Sequence, residues 1–180
     1  MHEKRFEGNP ERLRFPERVE RLEVERVAGL CLENGQAKNM LDVGTGTALF
    51  AEAFAKHGLQ IAGVDVNPDM LPTARQFVPA GDFRQGTAEA LPWPDGSFDL
   101  VFLGVVLHES DDVLQTLKEA RRVARQQACI LEWPYRDGII GPPLVHRLNP
   151  EELVGLFQKA GYRKWTMTEL TDTVLYRLGV

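Results

Sequence analysis

One stretch constrains this chain more than any other: Met40-Leu41-Asp42-Val43-Gly44-Thr45-Gly46-Thr47-Ala48. A short apolar run ends in an acid, passes through a Gly-x-Gly turn and continues as a helical pattern. That order predicts a first β-strand handing over to a first α-helix around a small ligand. Glycine lacks Cβ, so the turn can be tight and a ligand can approach the backbone closely. The first N–H groups of the following helix point at the same spot.

Two ligand classes use such a turn, dinucleotides and S-adenosylmethionine. The third glycine of the dinucleotide fingerprint falls at Leu49, so Gly-x-Gly-x-x-Gly fails. A pyrophosphate is dianionic, yet Asp42 stands just ahead of the first glycine, and no Lys or Arg occurs between Asp42 and Lys56. A ligand with a sulfonium and an α-ammonium suits that charge pattern better. Asp65 closes the second apolar run, Leu59 to Val64, where an acid accepts hydrogen bonds from a ribose diol. The alternative for Asp65 is a cap on the helix that starts at Pro68.

Three blocks extend the pattern. They are Leu41-Asp42-Val43-Gly44-Thr45-Gly46, Gly63 to Leu71, and Ala88 to Val101 with its Leu91-Pro92-Trp93-Pro94-Asp95-Gly96 turn. In this order they resemble the class I S-adenosylmethionine-dependent methyltransferases, and are most similar to the small-molecule branch of ubiquinone/menaquinone-biosynthesis type. The resemblance runs from about Met40 to Leu178. It implies a Rossmann-like, doubly wound seven-stranded α/β sheet, mostly parallel with an antiparallel C-terminal hairpin strand and helices on both faces. It implies S-adenosyl-L-methionine as cofactor, held by Asp42, Gly44, Thr45, Gly46, Asp65, Val66, Met70, Thr87, Ala88, Leu103 and Gly104. Thr87 stands where the family usually has an acid, so its contribution there is a hydroxyl and backbone groups.

Bulk properties fit one enzyme domain over residues 1–180, with 1–35 as an N-terminal helical extension or lid. A chain of 180 residues buries roughly 70% of its unfolded surface. The net charge of −5 argues against a nucleic-acid substrate. The longest apolar run, Leu100 to Leu107, is too short to span a bilayer, and no secretory signal follows Met1. The expected setting is therefore cytoplasmic, with a small-molecule acceptor, no membrane partner, and a monomer or homodimer. Cys31 and Cys129 have no metal-ligand spacing and read as core thiols, so no metal is expected.

The local signals give the element order. Pro16 to Glu33 reads as one helix stopped by Asn34-Gly35. Strands follow at Asn39 to Val43, Leu59 to Asp65, Asp82 to Gln85, Phe98 to Leu103 and Ala128 to Glu132. Helices are expected at Thr47 to His57, from Pro68 after an Asn67 cap, after Ser110, and from Pro150 after an Asn149 cap. Tyr162 to Leu170 and Asp172 to Leu178 read as a terminal hairpin.

For chemistry beyond the cofactor, His108 follows the fourth strand and is a candidate base or acceptor-orienting group. The irregular Trp133 to Arg147 stretch supplies His146 as a second candidate base, with Tyr135 and Arg147 as candidate acceptor contacts. Two competing functions stay open from sequence. One is an adenosyl-binding regulatory domain without turnover. The other is a nicotinamide-dependent oxidoreductase, which wants the missing fingerprint. Methylation of arsenite or another soft acceptor would want clustered cysteines.

Overall fold

In the computed structural model, which describes residues 10–33, 35–138 and 140–180, the apolar run before the glycine turn is β1 (Asn39–Val43). Its residues after Asn39 are all buried, as expected of an inner parallel strand covered on both faces. β2 (Gln60–Asp65) pairs parallel on one side of it and β4 (Phe98–Gly104) on the other. β3 (Asp82–Gln85) adds parallel to β2, and β5 (Ala124–Glu132) to β4. The C-terminal hairpin is β6 (Lys164–Glu169) with β7 (Val174–Gly179), and β7 inserts antiparallel between β5 and β6. The order β3-β2-β1-β4-β5-β7-β6 makes the expected seven-stranded sheet. Strand order reverses between β1 and β4, so a crevice opens at the carboxyl ends of those two strands.

Alternation along the strands divides the core in two. Met40, Phe102 and Leu131 face a layer with Val27, Phe50, Phe54 and Ala74, while Leu41, Val101 and Ile130 face Leu117, Phe157 and Tyr162. The first layer comes from α2 (Val24–Cys31), α3 (Leu49–Lys56) and α4 (Leu71–Phe77). The second comes mainly from α5 (Val113–Val123) and α6 (Pro150–Lys159). Phe102 is held between Phe50 and Phe54, with ring centroids 4.7 and 5.4 Å away. Cys31 and Cys129 are free buried thiols that adjoin in this core, and burial pushes the Cys31 thiol up. Neither lines the crevice.

Start signals act as read. Asn67 Oδ1 accepts the Asp69 N–H at 3.0 Å, and Asn149 Oδ1 accepts that of Glu151 at 2.9 Å. Pro72 sits in the first turn of α4, where its missing N–H costs nothing; a 3-10 turn over Pro68–Met70 precedes it.

The N-terminal helix differs from expectation. It breaks into α1 (Pro16–Arg21) and α2 at Glu23, which has φ 47°. The Glu23 carboxylate accepts the Thr171 N–H at 2.8 Å and pairs with Arg26, which fixes the break. Asn34, expected to stop the helix, and residues 1–9 of the expected lid lie outside the described residues. β5 also begins earlier than the apolar run suggests, directly after α5.

Candidate functional site

The cleft at the switch point is built on the glycine turn. Gly44 and Gly46 have φ +68° and +51°, and Ala48 follows at φ 60°. A Cβ on Gly44 would lie 2.4 Å from Val106 Cγ2, so the turn packs against the chain leaving β4. Asp65, at the end of β2, closes the turn from the other side: its Oδ2 accepts the Gly46 N–H at 2.7 Å. Its Oδ1 accepts the Asn67 N–H at 2.9 Å. Asp65 thus lines the cleft and also braces the start of the next helical turn.

Asp42 lies beneath the turn, 3% exposed, and accepts the Thr45 hydroxyl at 2.8 Å. Burial pushes its carboxyl up to about 7, against the pull of the Thr45 hydrogen bond. Burial raises the Asp65 carboxyl as well, opposed by the N–H groups of Asn67 and Gly46. Thr47 Oγ1 is buried without a hydrogen-bond partner among the described residues. A hydrogen bond to a bound molecule or to water would satisfy it.

The cleft measures about 1090 Å³ out to its open mouth. Asp42, Gly44, Thr45, Gly46, Asp65, Val66, Met70, Thr87, Ala88 and Gly104 line it, as the motifs placed them. Leu103 does not: strand alternation turns it into the core, fully buried, and its neighbours Gly104 and Val105 face the cleft instead. An acid does stand beyond Thr87, two residues later. Glu89 lines the cleft and accepts the Asp111 N–H at 3.0 Å.

The candidates for chemistry lie elsewhere. His108 is 6% exposed and outside the lining; its Nδ1 sits 2.8 Å from Glu132 Oε2. Glu132 also accepts the backbone N–H groups of His108 at 3.1 Å and Trp133 at 3.2 Å, so one buried carboxylate ties the loop after β4 to the end of β5. His146 lies on a 3-10 turn away from the cleft, and Tyr135 is exposed on the same loop. Arg147 is buried with its guanidinium spent on the carbonyls of Pro134, Arg136, Ile140 and Pro142. It clamps its own loop, and none of its donors is turned to the cleft.

The remaining wall comes from the N-terminus, through Leu13, Arg18 and Leu22. Arg14 fastens this segment down. It donates to Thr47 O at 2.8 Å, pairs with Glu52 and covers the Phe77 ring at 3.4 Å. Sequence reasoning missed these wall residues, because the only signal was helical spacing that included Leu22. It also missed Glu132, which read as the end of a strand.

The profile of the methyltransferase domain matches residues 41–131, just over half of the chain. The chain belongs to the methyltransferase domain family. Among relatives of this chain, a demethylmenaquinone methyltransferase of Chlorobaculum tepidum is 37% identical over 54% of this chain and 41% of its own length. A malonyl-[acyl-carrier protein] O-methyltransferase of Serratia marcescens is 33% identical over 52% of this chain and 37% of its own. The chain thus spans less than half the length of these curated relatives. A SAM dependent methyltransferase of Aquifex aeolicus has the same fold: TM-score 0.82 at 23% identity, covering 96% of this chain and 99% of that one.

The cleft residues fit the cofactor of that family, S-adenosylmethionine. Buried acids suit its cationic end, Asp65 lies at the end of β2 with a carboxylate that can accept from hydroxyls, and Thr47 has a polar atom to satisfy. No helix among the described residues is long and apolar enough to cross a membrane.

Proposed function

We propose that the chain is an S-adenosylmethionine-dependent methyltransferase of a small-molecule acceptor, and that residues 10–33 close its cleft as part of one domain. The observation that carries this reading is the glycine turn clasped between Asp42 and Asp65 at the switch point of the sheet. When bound, the cofactor supplies a methyl group activated by a sulfonium, ready for in-line displacement by a nucleophile.

The chain's residues then divide the work. Asp42 takes the methionine ammonium, and Gly44 and Gly46 let that part approach the backbone. Asp65 accepts from the ribose hydroxyls while keeping its hold on Gly46. Val66 and Met70 flank the adenosyl group, and Thr87 and Ala88 offer backbone groups at its edge. Leu13, Leu22 and Phe50 exclude water, and the low dielectric suits a transition state in which charge disappears from sulfur. His108 serves as a positioning residue: through Glu132 it fixes the loop carrying Val105, Val106, Glu109 and Ser110. The two relatives' names carry different acceptors, a quinone precursor and an acyl-carrier-bound malonyl group, so the acceptor follows from the cleft and not from the family. A cytoplasmic setting is part of the same reading, supported by two free buried thiols, as is a monomer or homodimer.

The test is transfer of label from methyl-labelled S-adenosylmethionine to a panel of quinone, carboxylic-acid and amine acceptors. Label in at least one acceptor is expected. Tight cofactor binding with no label in any acceptor, or in a metabolite extract, would make this an adenosyl-binding domain without turnover.

A further inference from the structure

The connection from β3 to β4 has little regular structure of its own, yet it carries Thr87, Ala88 and Glu89 into the cleft. Its peptide groups need partners from elsewhere. One stripe of α5 supplies many of them, where Gln115, Glu119 and Arg122 recur at helical spacing. Gln115 Nε2 donates to Glu89 O at 3.3 Å. Leu91 is held through both of its peptide groups. Its N–H donates to Glu119 Oε2 at 2.8 Å, and its carbonyl accepts from Arg122 Nη2 at 3.1 Å. The two side chains are locked to each other by two bonds of 2.7 Å, from Arg122 Nε and Nη2 to the two carboxylate oxygens of Glu119. Together they grip Leu91 as a paired residue on a neighbouring antiparallel strand would. Arg122 Nη1 reaches on to Trp93 O at 2.8 Å, and the Arg122 carbonyl accepts the Gly96 N–H at 2.8 Å. Arg84 adds a bond to Pro92 O from the β3 side. The hydrogen bonds from Arg122 hold the Glu119 carboxyl below its ordinary range, so the pair stays ionic at neutral pH. Neither Glu119 nor Arg122 lines the cleft.

We propose that Glu119 and Arg122 are positioning residues for the nucleoside end of the cofactor: by fixing Leu91 they set where Thr87, Ala88 and Glu89 stand. This rests on the methyltransferase reading above. The three cleft residues hang between two anchors. On one side the Gly86 N–H donates to Asp65 O at 3.0 Å, which ties the segment to the end of β2. On the other side only Glu89 and Ala90 separate Ala88 from Leu91, so there is little slack. Within the span, Thr87 and Ala90 share a single isolated bridge, too little to hold a shape alone. Backbone donors and acceptors serve a ligand well only when their direction is fixed beforehand, and a guanidinium fork on a carboxylate fixes direction as well as distance. The methionine end, at Asp42 and the glycine turn, has no contact with this pair and keeps its own support.

Calorimetry on the full chain tests this with S-adenosylhomocysteine and with 5′-methylthioadenosine, which keeps the nucleoside and lacks the amino-acid end. Wild type, Arg122→Met, Arg122→Lys and Glu119→Gln are titrated at a temperature where melting curves show them folded. Arg122→Met is expected to weaken both ligands by the same factor, about five- to tenfold, what one misplaced hydrogen bond is worth. Arg122→Lys, which keeps the charge without the fork, recovers only part of this. Two controls separate position from stability and from the other end of the ligand. Gly58→Ala lowers the melting temperature and leaves both affinities alone, and Asp42→Ala loses S-adenosylhomocysteine but spares 5′-methylthioadenosine. Unchanged affinity for both ligands in folded Arg122→Met, a loss confined to S-adenosylhomocysteine, or no binding of 5′-methylthioadenosine by wild type overturns the proposal. Should Arg122→Met not fold, Glu119→Gln decides by the same criteria. Failure of wild type to bind S-adenosylhomocysteine at all is a separate result and removes the methyltransferase reading itself.

Discussion

The Asp65 carboxylate and the Gly46 amide, 2.7 Å apart, join the end of the second strand to the turn that follows the first. One side chain thereby shapes the site and faces it. Asp65→Ala is expected to weaken S-adenosylhomocysteine by about 1–3 kcal/mol, the usual loss for hydrogen bonds to a charged group. It also leaves the N–H groups of Gly46 and Asn67 unpaired, so the melting temperature falls together with affinity. Calorimetry and thermal melts on one preparation show both. Unchanged affinity would take Asp65 out of the site.

Asp42 gives the site a pH dependence whose sign can be worked out. Burial holds its carboxyl at about 7 in the free protein, against an ordinary 3.8. A ligand ammonium wants the ionised form, so binding expels a proton below that value. Affinity for S-adenosylhomocysteine should rise from pH 5.5 to 7 by up to about tenfold per pH unit, then level off by pH 8. Proton release shows as a dependence of calorimetric heat on buffer ionisation enthalpy. The unliganded fold behaves oppositely: the native state holds the proton more tightly than the unfolded chain, so this group's contribution to stability falls as pH rises from 3.8 toward 7. Asp42→Asn should flatten both profiles. A flat wild-type binding profile would show that Asp42 does not meet the ligand as a carboxylate.

Two glycines separate conformational cost from crowding. Gly58 has φ +87° with nothing within 4 Å of where a Cβ would stand, whereas Gly44, at φ +68°, would meet Val106. Gly58→Ala should cost about 1–2 kcal/mol of stability, from backbone conformation alone, with ligand affinity intact. Gly44→Ala should cost about 1–3 kcal/mol more through overlap with Val106, and weaken the ligand too. Equal melting temperatures for the two variants would contradict the tight packing of the turn on the loop after β4.

Glu132 holds His108 and two backbone amides in a buried spot. Leaving a buried hydrogen-bonding group without its partner typically costs about 1–3 kcal/mol, so Glu132→Ala should lower the melting temperature by at least roughly 2–12 °C. Glu132→Gln, which keeps an acceptor oxygen, should recover much of it. If His108 only positions its loop, any His108→Gln effect on methyl transfer appears without a shift in the pH–rate profile. Loss of an acidic limb from that profile would instead mark His108 as the proton acceptor.

The sheet was legible because inner parallel strands are written as short apolar runs. Asn39–Val43 forms where that pattern ends it, the edge strand Asp82–Gln85 forms where a weaker pattern placed it, and Asn67 and Asn149 cap by contacts within two residues. Much of the cleft lining was legible too, since Asp42, Gly44 and Gly46 belong to one local turn and Asp65 ends the neighbouring strand. What sequence hid depends on distant partners. The break at Glu23 is fixed by Thr171, and Glu132 works through His108 on a different strand's loop. In sequence Arg147 reads as an acceptor contact, and Arg122 as one of the basic residues that end the helix after Ser110. One clamps four carbonyls, and the other joins Glu119 and Asp95 to the carbonyls of Leu91 and Trp93. Arg18 was hidden likewise, because a helical period cannot say which face closes over a cleft.

The most direct measurement is a pair of calorimetric titrations of the full chain, one with S-adenosylhomocysteine and one with NADH. Saturable one-to-one binding of S-adenosylhomocysteine, lost in Asp42→Ala, with no heat from NADH, is the expected result. Saturation by NADH, or no binding of S-adenosylhomocysteine between pH 7 and 8, would contradict the assignment of this cleft to a sulfonium cofactor.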